Sequence, residues 1–171
     1  MTEPEILFFE EDKRIPNSAL PVLLYRDVFP PRDHLATHLE SLFGANGWTN
    51  SWRAGLYDYH HFHSTAHEVL GIARGTVTAM IGGEHGQAIE MKPGDVIVLP
   101  AGTGHKCESA SSDILIVGAY AGGRSWDLRT GKVDERDEVM RNIARVPLPE
   151  SDPVTGKSGA LTQKWRRTTA A

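Results

Sequence analysis

A His-x-His pair at His61 and His63, a carboxylate five residues on at Glu68, and a third imidazole at His105 offer four groups able to bind a metal ion. Imidazole nitrogens and a carboxylate suit borderline divalent cations, and short extended segments can close them around a single ion. In a strand, alternate residues share a face, so His61 and His63 project the same way with Tyr57 and Tyr59 behind them. Glu68 lies past the bend Ser64-Thr65-Ala66, from which a second segment can return its carboxylate to the imidazoles. His105 has to arrive from a distant strand, and Pro100-Ala101-Gly102 supplies a tight turn that can aim it.

The elements that would position these groups are short. Glu5–Phe9 and Val22–Tyr25 are apolar runs that read as strands. Pro30-Pro31-Arg32-Asp33 opens a helix through about Leu42, with Asp33 as N-cap, Leu35, Leu39, Leu42 and Phe43 at helical spacing, and Gly44 closing it. From Trp48 the texture becomes β segments punctuated by Gly and Pro. Thr76–Ile81 and Gln87–Met91 flank the loop Gly82–Gly86 as a hairpin, Val96–Leu99 follows the turn at Lys92–Asp95, and Asp113–Tyr120 makes a further strand. Regularly spaced short strands indicate an all-β sandwich or barrel. Asp134–Ile143 reads as a short helix, and the Pro- and Gly-bearing stretch beyond it as an extended arm whose Trp165 docks on its own domain or on a partner subunit.

Composition narrows the class. A chain of 171 residues fits one domain able to bury a core without disulfides, and its one cysteine, Cys107, suits a reducing compartment. The net charge of -4 and the absence of a Lys/Arg-rich run give nucleic acid little to bind. No apolar run approaches the ~18 residues that span a bilayer, and the acidic N-terminus lacks the apolar region of a secretory signal. These features lead to the expectation of a cytoplasmic protein with a small-molecule partner and neither membrane nor nucleic-acid partners.

The spacing Gly55, His61, His63, Glu68, Gly75 resembles the first motif of the cupin superfamily, and Gly94, Pro100, Gly102, His105 the second. Ser109 stands where the second motif has Asn, a position that is not a metal ligand in the pattern. The whole chain is similar to small bacterial single-domain cupins of unassigned role. This resemblance implies a cupin-type antiparallel β-barrel, a jelly-roll-like double-stranded β-helix, occupying about residues 48–121 of a single domain. A helix-bearing segment precedes it at 1–47 and an extension follows at 122–171. It also implies that His61, His63, Glu68 and His105 bind one divalent transition metal inside the barrel mouth. Fe, Mn, Ni, Zn and Cu all suit the set. A metal-free cupin that keeps the histidines as barrel filling is the bland alternative.

Around the four ligands, Tyr57 and Tyr59 share their face and either fill the barrel core or hydrogen-bond a substrate. His67 acts as an acid or base, replaces Glu68 as ligand, or faces away into solvent. Arg124, Trp126 and Arg129 follow the last core strand and either cap the pocket, bind an anionic substrate, or simply pack. The reading taken forward is a metal-dependent enzyme on a small organic molecule, dioxygenase-like first, isomerase or decarboxylase second. Its alternatives are a non-catalytic binding or sensing module and a metal-free, sugar-epimerase-like cupin. Open sheet edges and long terminal segments lead to the expectation of a homodimer.

Overall fold

Val22–Tyr25 and Val96–Leu99 are apolar at every position, the pattern of strands covered on both faces. In the computed structural model, which describes residues 3–166, the two pair antiparallel in the middle of a sheet. The elements among those residues are β1 (Glu5–Leu7), β2 (Val22–Tyr25), α1 (Leu35–Ala45), β3 (Trp48–Ala54), β4 (Glu68–Arg74), β5 (Val77–Ile81) and β6 (Gln87–Met91). They continue with β7 (Val96–Leu99), β8 (His105–Ala110), β9 (Leu115–Ala121), α2 (Arg136–Arg145) and α3 (Ala160–Lys164). One antiparallel sheet runs β1-β2-β7-β4-β9-β3 and a second runs β6-β5-β8. The molecule thus has the mostly-β, jelly-roll-like architecture that the resemblance implied, built as two facing sheets.

Alternation sorts the side chains into two cores. On the inward face Leu24, Leu70, Ile72 and Ile97 meet Ala79 and Met91 of the smaller sheet. On the outward face Leu23, Val69, Val98 and Val117 meet Leu39 and Phe43 of α1. Burial of Leu35 and Ala36 on that face, rather than local capping, sets where α1 begins. Asp33 is not its cap: His34 holds the N-cap position in the left-handed region (φ 57) with no side-chain cap bond. Gly44 does not close the helix either. Phe43 is fully buried, the helix runs on through Gly44 to Ala45, and Asn46 and Gly47 turn it off by donating to the Phe43 and Gly44 carbonyls.

Gly118 on β9 is required by a close approach. A Cβ there would lie 2.1 Å from Trp52 Cε2, so only glycine lets the indole lie across the strand. The indole N–H can then donate to the Tyr120 hydroxyl (3.0 Å).

The C-terminal arm is not extended. Asp152 and Gly156 exchange backbone hydrogen bonds (3.0 Å each), and the fully buried Asp152 carboxylate accepts from the Tyr25 hydroxyl and from the Leu161 N–H (3.1 Å). A straight arm would leave that carboxylate without partners, so the chain doubles back into α3. Trp165 then docks on its own chain, its indole N–H donating to the Pro21 carbonyl at 2.8 Å. No helix among the described residues is long and apolar enough to cross a membrane.

Candidate metal centre

The Tyr57 and Tyr59 rings lie beside His61, with centroids 5.2 and 5.5 Å from its ring, although the stretch Gly55–His60 before the His-x-His pair does not form a strand that could align the histidines. Two isolated bridges align the pair instead. His61 and His105 exchange backbone hydrogen bonds (3.2 and 2.9 Å), and Phe62 does the same with Arg129 (2.9 and 3.0 Å). His61 and His105 are therefore neighbours across a ladder, with ring centroids 4.1 Å apart. Gly102, at φ +97 in the turn before β8, donates its N–H to the His63 carbonyl at 2.8 Å, which ties the third histidine's turn to the second histidine. Glu68 opens β4 on the same face as Leu70 and Ile72, so its carboxylate points between the sheets, with Leu99 and Tyr120 as its cross-strand partners.

One ligand atom from each of His61, His63 and His105 lies within 4.8 Å of the others, and all three residues are buried. Glu68 Oε1 is 3.3 Å from His105 Nε2 and 3.4 Å from His63 Nε2. Each imidazole turns Nδ1 to a backbone carbonyl: His61 to Tyr59 (2.9 Å), His105 to Thr103 (3.0 Å) and His63 to Asp127. A carbonyl only accepts, so Nδ1 carries the proton, and in the neutral rings each Nε2 presents a lone pair. Glu68 Oε1 thus faces lone pairs, and it is buried without a hydrogen-bond partner among the described residues. Such an arrangement is satisfied by a cation or by an added proton. Three buried imidazoles whose outer nitrogens are already fixed fit a divalent metal.

The electrostatics agree. Burial first, then the neighbouring His105, holds the His61 pKa down to about 3, which keeps that ring neutral. Burial opposes ionisation of Glu68, yet the adjoining His63 and His105 imidazoles outweigh it and hold its carboxyl below the usual range. Burial likewise opposes protonation of His63, but Glu68 outweighs it and raises the imidazole above its ordinary value. An ion would therefore displace a proton from His63. Since His63 titrates above 6.5, its proton competes fully below that pH and is lost as pH rises through the raised value. Metal affinity should therefore increase as pH rises through the raised His63 value, with a proton released on binding below it. Calorimetry of metal binding in buffers of different ionisation enthalpy measures that release. A pH-independent affinity would contradict the pairing.

Asp127, which the motifs do not include, holds this centre from outside. Its carbonyl receives His63 Nδ1–H, and its carboxylate accepts from the backbone N–H of Ser64 (2.6 Å), the Ser64 hydroxyl and Arg129 (2.7 Å). It thereby clamps the loop between His63 and Glu68. Asp127→Ala should weaken metal binding by roughly 10–100-fold, the range seen for outer partners of metal ligands. A chelator-competition titration reads that loss, and an unchanged affinity would remove Asp127 from the support.

The donors line a cavity of about 400 Å³ walled by Trp52, Tyr57, Tyr120 and Trp126. Tyr57 lines its mouth and is half exposed. Tyr59 stacks on Tyr57 at 5.2 Å but does not line the cavity. Neither fills the core, because residues 55–60 run as an irregular rim. His67 is turned to the reverse side of Glu68. It is buried rather than solvated, accepts the Ala101 N–H (2.9 Å) and meets the Trp165 ring edge-on at 4.8 Å. Trp126 caps the cavity, stacked on Tyr120 and edge-on to His63, whereas Arg124 and Arg129 are engaged elsewhere.

Comparison with known proteins places the chain among relatives. The family model for the cupin domain matches residues 53–117. The chain is 42% identical over 164 residues to the uncharacterised protein YjlB of Bacillus subtilis (strain 168), an alignment covering 95% of this chain and 97% of that protein. Among solved structures it is similar to an acireductone dioxygenase from Bacillus anthracis with cadmium in its active centre, at 18% identity, over 58% of this chain and 78% of that one, with TM-score 0.41. It is also similar to the WlaRB TDP-quinovose 3,4-ketoisomerase from Campylobacter jejuni, at 13% identity, over 55% and 75% of the two chains, with TM-score 0.43.

Proposed function

The chain belongs to the cupin family, and we propose that it is a metal-dependent enzyme acting on a small organic molecule, with His61, His63, Glu68 and His105 holding one divalent transition metal ion. The observation that carries this reading is that the donors form the wall of a 400 Å³ cavity rather than a sealed knot, so whatever they hold is within reach of a substrate. Such an ion supplies Lewis acidity or dioxygen activation when bound. The chain's own residues do the rest. Asp127, Tyr59 and Thr103 fix the imidazoles through their carbonyls. Tyr120, held by Trp52, stands beside Glu68 across the ladder. Trp126 roofs the site, and the Tyr57 phenol at the mouth is available to hydrogen-bond a ligand.

Dioxygenase-type chemistry is the first form of the reading, with isomerisation or decarboxylation behind it. Elemental analysis should find one metal per chain. The Fe(II)-loaded protein should consume dioxygen with a phenol, thiol or diketone from a panel. No turnover with any loaded metal would overturn the enzyme reading. A second reading, a binding module, is favoured by the four-donor set itself, which suffices for a closed tetrahedral shell on Zn(II). It would show as loss of thermal stability on chelation without turnover.

The reading extends to a cytoplasmic homodimer with neither nucleic acid nor membrane as partner. The net charge of -4 supports the first exclusion. The dimer is supported by β3, the largely exposed edge strand of the larger sheet, which offers unpaired backbone groups to a second copy. Light scattering that finds a monomer would remove it.

A further inference from the structure

Among the described residues, four aromatic side chains besides the three histidines, and no ammonium or guanidinium group, line the cavity. Among its described lining residues the one carboxylate is Glu68. The arginines nearest in sequence to the cavity walls are committed to other partners. Arg124 donates to the Thr65 carbonyl (3.0 Å), Arg129 is paired with Asp127 and Glu135, and Arg53 grips Glu40 (2.6 Å). A ligand carrying a carboxylate or phosphate away from the metal would have to leave that charge against aromatic walls and Glu68 with no partner.

Uncharged rings meet the opposite situation. Of the large hydrophobic side chains left exposed, Tyr57 (50%), Tyr59 (39%) and Trp126 (41%) cluster around this mouth. Exposed aromatic surface gathered at a cavity is a stacking surface for a flat partner. Asn50 and Ser51 add neutral polar groups to the wall.

We infer that the ligand of this cavity is a flat, conjugated small molecule, uncharged apart from the oxygens it gives to the metal, of the catechol or enolised dicarbonyl type. A ligand that would bury a carboxylate or phosphate inside the cavity away from the metal is disfavoured on charge. The inference rests on the metal-site reading above and deepens it by naming the ligand class.

The test uses the Mn(II)-loaded full chain under argon, since a six-coordinate ion keeps two positions open beside four protein donors, and tryptophan fluorescence reports binding without turnover. The probes are 4-ethylcatechol and 3,4-dihydroxyphenylacetate, which are close in shape and differ by one carboxylate. The neutral catechol should bind at least about tenfold tighter, since the added charge would be buried unpaired. Trp126→Ala, with metal content checked on the same sample, should cost the catechol about tenfold through the lost ring contact. Equal or tighter binding of the carboxylate would overturn the inference, and so would no quenching by either probe or an unchanged affinity in Trp126→Ala. The two readings fail separately. Selective binding with no dioxygen uptake by the Fe(II) form removes the catalysis and keeps the ligand class. Turnover without selectivity does the reverse.

Discussion

Replacing His105 with alanine should lower affinity for a divalent metal by at least about 100-fold, beyond the range expected for loss of an outer partner. The reason lies in what each donor contributes. His61 and His63 come from one segment and are aligned by local geometry, but a pair of imidazoles two residues apart is an ordinary surface feature. His105 arrives from β8 of the smaller sheet, and its ring lies 4.1 Å from that of His61 because the two residues exchange backbone hydrogen bonds. Those bonds survive the substitution, so the metal-free variant should keep the β-rich circular dichroism of the parent while losing the ion. A chelator-competition titration measures the affinity, and a loss below tenfold would mean that residue 105 is not a ligand. Glu68→Gln is the companion variant. It keeps the side-chain shape, removes the charge that counters the ion, and should also abolish the proton release ascribed to His63.

The second large effect belongs to a residue far from the cavity. Trp165→Ala should destabilise the fold by about 3–5 kcal/mol, the usual cost of truncating a buried tryptophan. For a chain of this length that corresponds to a fall in Tm of roughly 6–20 °C, measured by circular dichroism. The indole is 3% exposed, packs in the outward core with Leu161, and donates to the Pro21 carbonyl, which would lose its partner. Its ring also lies against His67, which in turn accepts from Ala101 in the turn leading to His105. The docked C-terminal segment thus supports both Glu68, the residue after His67, and the turn that delivers the third histidine. A change in Tm below about 2 °C would contradict the docking.

Much of the centre was legible in the sequence because its spacings are dictated by local geometry. His61 and His63 alternate on one face, Pro100 and Gly102 turn the chain into β8, and Glu68 begins a strand. The strands themselves were readable where both faces are buried, as in Val22–Tyr25 and Val96–Leu99, whose observed limits match the apolar runs. The misreadings share one cause, the extension of a local rule past the place where tertiary contacts take over. Strand parity sets Tyr57 and Tyr59 beside the ligands, and both rings do lie against His61, but residues 55–60 have no ladder to carry them into the core. Asp33 and Gly44 carry the chemistry of helix ends, yet burial of Leu35 and Phe43 decides the limits of α1. An extended C-terminal arm follows from its prolines and glycines, whereas the buried Asp152 draws it into a turn.

Residues that act only through pairing across the fold left no readable signal. Tyr120 stands beside Glu68 by strand register, and Asp127 clamps the 64–65 loop across more than sixty residues of chain. A single aspartate after a Gly-Gly turn is too common to be singled out.

The central claim is that the four side chains grip one ion at the wall of the aromatic cavity. Anomalous diffraction recorded at the metal edge from crystals of the metal-loaded protein tests it most directly. The account predicts one peak per chain, about 2.0–2.2 Å from the Nε2 atoms of His61, His63 and His105 and from a Glu68 oxygen, the distances usual for imidazole and carboxylate ligands. A peak held elsewhere, or three imidazoles turned away from a common point, would contradict it.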